Sequence, residues 1–116
     1  MKKYQKAAIF APVDKIINLT QHSATAEQIA DGVVEPADKS SVQKCLTFNC
    51  IPSQYDMQLE ALALVGHCLD TDCRTPLYKK AMIGGAPFFM STLEAALKDA
   101  GIQPVYAFPV RESSEV

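Results

Sequence analysis

A chain of 116 residues and 12.6 kDa is one domain's worth of sequence, which excludes repeat arrays and large multi-step enzymes. Apolar residues make up 48% and charged ones 21%, enough to bury a core and too apolar for an intrinsically disordered protein. Lys and Arg number 11 against 13 Asp and Glu, a net charge of −2, so bulk electrostatics give no drive toward duplex DNA or an anionic membrane.

Residues 1–14 read as an N-terminal extension or edge strand, in which Ala7-Ala8-Ile9-Phe10 can pair at a sheet edge, and residues 15–116 as a single domain. The run Ala7 to Ala11 is too short for a signal-peptide core, and nothing approaches the roughly 20 residues of a membrane span, so a cytoplasmic protein is expected. Lys15 to Thr20 is short, apolar and β-branched, and reads as a buried strand. Thr25-Ala26-Glu27-Gln28 has the capping-box pattern and opens a short helix that ends at Gly32, before a second strand at Val33-Val34-Glu35.

A helix from Asp38 to about Phe48-Asn49 carries Val42, Cys45 and Leu46 at helical spacing. Ser53 is the expected N-cap of the strongest helix. There Leu59, Leu62, Ala63, Gly66 and Leu69 line one face, and Met57, Ala61, Leu64 and Cys68 widen it. Thr71 to Pro76 is polar and turn-rich, and is expected to be a mobile surface loop. Lys79 to Ile83 suggests a strand and Gly84-Gly85-Ala86 a tight turn. Pro87 then begins a helix that turns Phe88, Phe89, Leu93, Ala96 and Leu97 inward. Gly101 ends that helix, Ile102 takes the C″ position of a Schellman-type cap, and Val105 to Phe108 is a final strand closed by Pro109.

Strands alternating with helices predict an α/β fold: a small Rossmann-like three-layer domain with a mainly parallel sheet of about four strands. Ligands in such sheets bind beyond the carboxyl ends of the strands, where strand order reverses. The first strand delivers Asn18, Thr20, Gln21, His22 and Ser23 to that edge, the third Gly84, Gly85 and Ala86, and the last Arg111.

Gly84-Gly85 before a helix N-terminus suits an anionic oxygen, or else serves only a sharp turn; the dinucleotide and phosphate-loop fingerprints are both missing. His22, in a polar setting, is a proton carrier or phosphate donor, or a surface histidine without duty. Arg111 is a grip on phosphate or a solvated terminal arginine. His67, within the apolar helix, reads as structural, Glu94 as helix surface, and Met82, Met90, Phe88 and Phe89 as core or subunit interface.

Cys45, Cys50, Cys68 and Cys73 form two C-x4-C pairs and read as ordinary thiols, with zinc as the lesser alternative. No cofactor motif and no metal site is expected.

The run Ile17-Asn18-Leu19-Thr20-Gln21-His22, followed by Thr25-Ala26-Glu27-Gln28, resembles the opening of small stand-alone CRISPR-associated Rossmann-fold proteins of the ring-nuclease type. In those a strand ends in a hydroxyl–x–His turn and a T-x-x-Q helix follows. The later Gly-Gly turn, amphipathic helix and terminal strand are similar in arrangement. The resemblance covers somewhat over half the chain, and the four-cysteine middle departs from it. It implies binding of a cyclic oligoadenylate at a homodimer dyad, with cleavage or sequestration of the ring. It offers His22 and Ser23 as catalytic candidates and Asn18, Thr20, Gln21, Gly84, Gly85, Ala86 and Arg111 as ligand-binding ones. The competing expectation is a non-catalytic oligomeric interaction protein of a phage or mobile element.

Overall fold

The computed structural model describes residues 13–106 apart from 71 and 73. Four strands, β1 (Val13–Leu19), β2 (Val33–Val34), β3 (Tyr78–Ile83) and β4 (Gln103–Tyr106), form one sheet in the order β2-β1-β3-β4 with every pairing parallel. Four helices alternate with them: α1 (Ala26–Ala30), α2 (Lys39–Cys45), α3 (Gln54–Gly66) and α4 (Pro87–Asp99). This is the α/β, Rossmann-like architecture expected. The expected edge segment at residues 7–10, the end of the last strand at 107–108 and Arg111 lie outside the described residues.

The local signals act as chemistry demands. Thr25 Oγ1 accepts from the Gln28 N–H (3.1 Å) and Gln28 Oε1 accepts from the Thr25 N–H (2.9 Å), so the capping box is reciprocal. Asp38 and Ser53 cap α2 and α3 by accepting from the Ser41 and Asp56 N–H groups, both at 3.1 Å. At the end of α4, Gly101 takes φ +84° and the Ile102 N–H donates to the Leu97 carbonyl (2.9 Å), the 6→1 bond of a Schellman cap.

The core lies between one sheet face and the α2–α4 layer. Ile17, Leu19, Ala81 and Ile83 point into it from the strands, and Phe89, Leu93 and Leu97 come down from α4. Leu64, Val65 and Cys68 do so from α3, and Val42 and Leu46 from α2. Phe48 closes one end, edge-on to Phe88 and Phe89 at 5.4 and 5.2 Å. By contrast α1 touches β2 and buries no side chain.

Several expected details differ. The inward face of α3 is Met57, Ala61, Leu64, Val65 and Cys68, while Leu59, Leu62, Ala63 and Gly66 are exposed. This helix is apolar on both sides, so periodicity alone could not choose between them. Phe88 is 46% exposed because it lies one residue, about 100° of rotation, from the inward row Phe89-Leu93-Leu97. Hydrogen bonds join the two ends of the polar segment before β3. Its Asp70 N–H donates to the Thr75 carbonyl and its Leu77 N–H to the Cys68 carbonyl, both at 2.8 Å, and Leu69 bridges Pro76. His67 is the half-buried C-cap residue of α3.

Candidate functional site

The order β2-β1-β3-β4 reverses between β1 and β3: the chain moves outward to β2 on one side, then returns to continue on the other. The loops leaving β1 and β3 therefore diverge and open a crevice between their carboxyl ends. A cleft of about 300 Å³ occupies that point, lined by Thr20, Gln21, His22, Ser23, Gly84 and Gly85 together with Thr25, Gln28 and Met82. Two of the three segments expected to meet do so.

The loop after β1 is built from beneath by Asn18, which is fully buried. Its Oδ1 accepts from the Thr20 N–H (2.9 Å) and from Thr20 Oγ1 (2.7 Å), and its Nδ2 donates to the His22 carbonyl (2.9 Å) and to Glu35 Oε1 (3.0 Å). All four hydrogen-bonding valences of the amide are thus spent inside the protein. Asn18, expected among the ligand groups, instead holds the loop from behind. Thr20 is also buried and its hydroxyl is committed to Asn18, so what it shows the cleft is its methyl side, 3.7 Å from where a Gly84 Cβ would stand.

A second grip comes from α2. Lys39 Nζ donates to the carbonyls of Thr20 (2.7 Å) and His22 (2.9 Å), and Gln43 Nε2, one turn on, donates to the Gln21 carbonyl between them (3.0 Å). Thr47 adds a bond to the Gln21 side chain. Glu35 completes the network, 3.3 Å from Lys39 Nζ and accepting from the Ala24 N–H (2.7 Å). Partial burial pushes the Glu35 carboxyl upward. The Ala24 N–H, the Lys39 ammonium and the Asn18 amide outweigh that push and hold it below the usual glutamate range. With the backbone anchored this way, the His22 and Ser23 side chains stand exposed on the cleft's rim.

Gly84 and Gly85 form the other wall. Gly85 has φ +155°, where a side chain is strained, and a Cβ there would meet Met90 Cε at 3.6 Å. Immediately after them α4, 13 residues long, begins at Pro87, which has no N–H; Ala86 supplies no side-chain acceptor, and the Phe89 N–H donates to the Ala86 carbonyl (3.0 Å), which leaves the Phe88 N–H as the first-turn donor for another acceptor. Ala86 is half-buried against the core and does not line the cleft.

Sequence reasoning missed Glu35, Lys39, Gln43 and Thr47. The only trace was the Glu35–Lys39 spacing of four, interrupted by Pro36 before the helix starts. Of the cysteines, Cys45 and Cys68 are buried free thiols and Cys50 an exposed one. Burial, with Glu60 alongside, pushes Cys45 up to about 11, and burial pushes Cys68 up to about 12. Among the described residues no group of three His, Cys, Asp or Glu is placed to hold a metal ion, and no helix is long and apolar enough to cross a membrane.

The chain belongs to the family described as Uncharacterized protein MJ1673 family, whose model matches residues 14–116. No curated protein and no solved structure matches the chain.

Proposed function

We propose that the crevice between β1 and β3 binds the phosphate-bearing backbone of a cyclic oligonucleotide second messenger such as a cyclic oligoadenylate. The observation that carries the reading is the meeting of the Thr20–Ser23 loop and Gly84-Gly85 in one cleft at the strand-order reversal, beside a long helix whose N-terminus has no side-chain cap. The residues lining the cleft include no Lys, Arg, Asp or Glu, and the end of α4 favours anionic oxygens without a basic surface, which suits a chain of net charge −2.

At about 300 Å³ the cleft is near the lower end of small-molecule sites and takes one nucleotide unit rather than a ring. A cyclic ligand therefore spans two copies of the loop set related by a twofold axis. Cleavage, where it follows binding, proceeds by attack of a ribose 2′-hydroxyl on the adjacent phosphorus. The P–O5′ bond breaks, leaving a 2′,3′-cyclic phosphate and a 5′-hydroxyl, with His22 at the rim carrying the proton and Ser23 orienting the phosphate. Arg111, beyond the described residues, is the remaining candidate for a phosphate contact.

Titration calorimetry with a panel of cyclic oligonucleotides, their linear counterparts and inorganic phosphate tests this. Wild type binds a cyclic member, Gly84→Ala and Arg111→Ala weaken it by about tenfold or more, and His22→Ala lowers any product formation followed by chromatography. No binding by the wild type, or unchanged affinity in both binding variants, rejects the reading.

A further inference from the structure

Helix α1 adds nothing to the core, since none of its side chains is buried, yet Gln28 and its N-cap Thr25 line the β1/β3 cleft. The cap accounts for only half of the Gln28 side chain. Its Oε1 accepts from the Thr25 N–H at 2.9 Å, which is all that the reciprocal box asks of this position, and a glutamate there would serve as well. The Nε2 group takes no part in the box and has no hydrogen-bond partner among the described residues. The amide cannot turn over to exchange its ends, because the Thr25 N–H needs an oxygen facing it. What Gln28 has left for a ligand is a pair of N–H donors held in one orientation.

We propose that Gln28 reads the base of the bound nucleotide, donating from Nε2 to a ring nitrogen at the edge of an adenine. Base reading of this kind rests on the nucleotide reading of the cleft and adds to it a residue that recognises more than phosphate. Position decides between the two parts of the ligand. Gly84-Gly85 and the start of α4, where the phosphate goes, belong to the β3 side. Helix α1 packs on β2, on the far side of β1 from β3, so Gln28 approaches the cleft from the opposite side. Buried Met82 and the Thr20 methyl supply the apolar lining on which the flat face of a base can rest. A nucleotide laid with its phosphate at the glycines thus carries its base toward α1. There a fixed donor accepts a bare ring nitrogen and leaves a base edge that shows only N–H at the same place without a partner.

Titration calorimetry on the full chain is the test, with adenosine 5′-monophosphate, its 1-deaza, 3-deaza and 7-deaza analogues, and ribose 5′-phosphate as probes, each sized for a cleft that holds one nucleotide unit. Gln28→Glu is the informative variant: it keeps an oxygen for the Thr25 N–H, and with it the box, while putting an acceptor where the donor was. Circular dichroism confirms that the variant is folded. Wild type is expected to bind the adenosine monophosphate about tenfold or more tightly than ribose 5′-phosphate, with one deaza analogue weaker than the parent by about three- to tenfold, the worth of one hydrogen bond. In Gln28→Glu that difference between parent and analogue vanishes. The ratio is the readout, because the new carboxylate weakens every phosphate alike. Wild type that binds the adenosine and ribose phosphates equally, or all three deaza analogues as well as the parent, overturns the proposal and leaves the phosphate cleft standing. A variant that separates the analogues as wild type does overturns the assignment to Gln28. Wild type that binds none of these probes and no cyclic oligonucleotide overturns the nucleotide reading, and base recognition with it.

Discussion

Replacing Asn18 with Ala tests whether the cleft is built from below. The side chain is fully buried and makes four hydrogen bonds, and their loss is not uniform. The His22 carbonyl keeps Lys39, Glu35 keeps Lys39 and the Ala24 N–H, and the Thr20 hydroxyl keeps the His22 carbonyl as an acceptor (3.1 Å). The Thr20 N–H has no such reserve, since its acceptor is Asn18 Oδ1 in a region closed to solvent. Orphaning that donor costs about 1–3 kcal/mol, and the two lost amide N–H bonds add roughly 0.5–1.5 kcal/mol between them after their acceptors re-pair. The expected destabilisation is about 2–4 kcal/mol, equivalent to a melting temperature lower by roughly 8–16 °C for a chain of this size. Urea unfolding followed by circular dichroism measures it, with the slope unchanged if only the native state is affected. Asn18→Asp keeps the shape and the Oδ1 acceptor but sets a second carboxylate against Glu35. Its deficit should grow as pH rises from 4 to 7, because the buried Asp ionises at a raised pKa and binds its proton more tightly folded than unfolded. A loss below about 1 kcal/mol for Asn18→Ala would refute the reasoning, and would mean that α2 alone fixes the loop.

Glu35, whose carboxyl is held below its ordinary 4.5, contributes stability that is present above that value and lost as pH falls through the lowered one; the stability gap between wild type and Glu35→Gln should therefore close under acid titration, and a gap that widens would contradict the assignment. Gly85→Ala forces a Cβ onto φ +155° and should cost about 1–2 kcal/mol in urea unfolding, whereas Gly84→Ala meets only an ordinary contact at 3.7 Å and should stay within about 0.5 kcal/mol of wild type. Equal costs at the two glycines would rule out backbone strain as the cause. At pH 8 a thiol reagent should modify Cys50 and spare Cys45 and Cys68, whose thiols stay protonated to about 11 and 12, until the chain unfolds; peptide mapping reads this, and labelling of all three at similar rates would show that the core opens.

Element type and order were legible because they rest on short-range chemistry. The Thr25–Gln28 box, the Gly101–Ile102 cap and Pro87 at a helix start each act within four residues, and parallel pairing follows from the alternation of strands and helices. The meeting of the Thr20 loop with Gly84-Gly85 was legible for the same reason: strand order determines which loops share an edge. The outward face of α3 was not, since Leu59 and Leu62 match the apolar pattern as well as Ala61 and Leu64 do, and only packing against α4 decides. Nor were Lys39, Gln43 and Thr47, which reach the loop across separations of 17 to 26 residues with no periodic signature. Asn18 was singled out as polar near a strand end, but its burial, and so its role behind the loop, depends on what the chain folds over it.

Three consecutive carbonyls, those of Thr20, Gln21 and His22, are gripped by Lys39 and Gln43 from one helix. The instructions for this turn's shape are consequently stored outside it. Evolution, or a library randomised at positions 22 and 23, is free to exchange what the rim presents while leaving the scaffold beneath intact, so recognition can drift quickly on a fold that hardly changes.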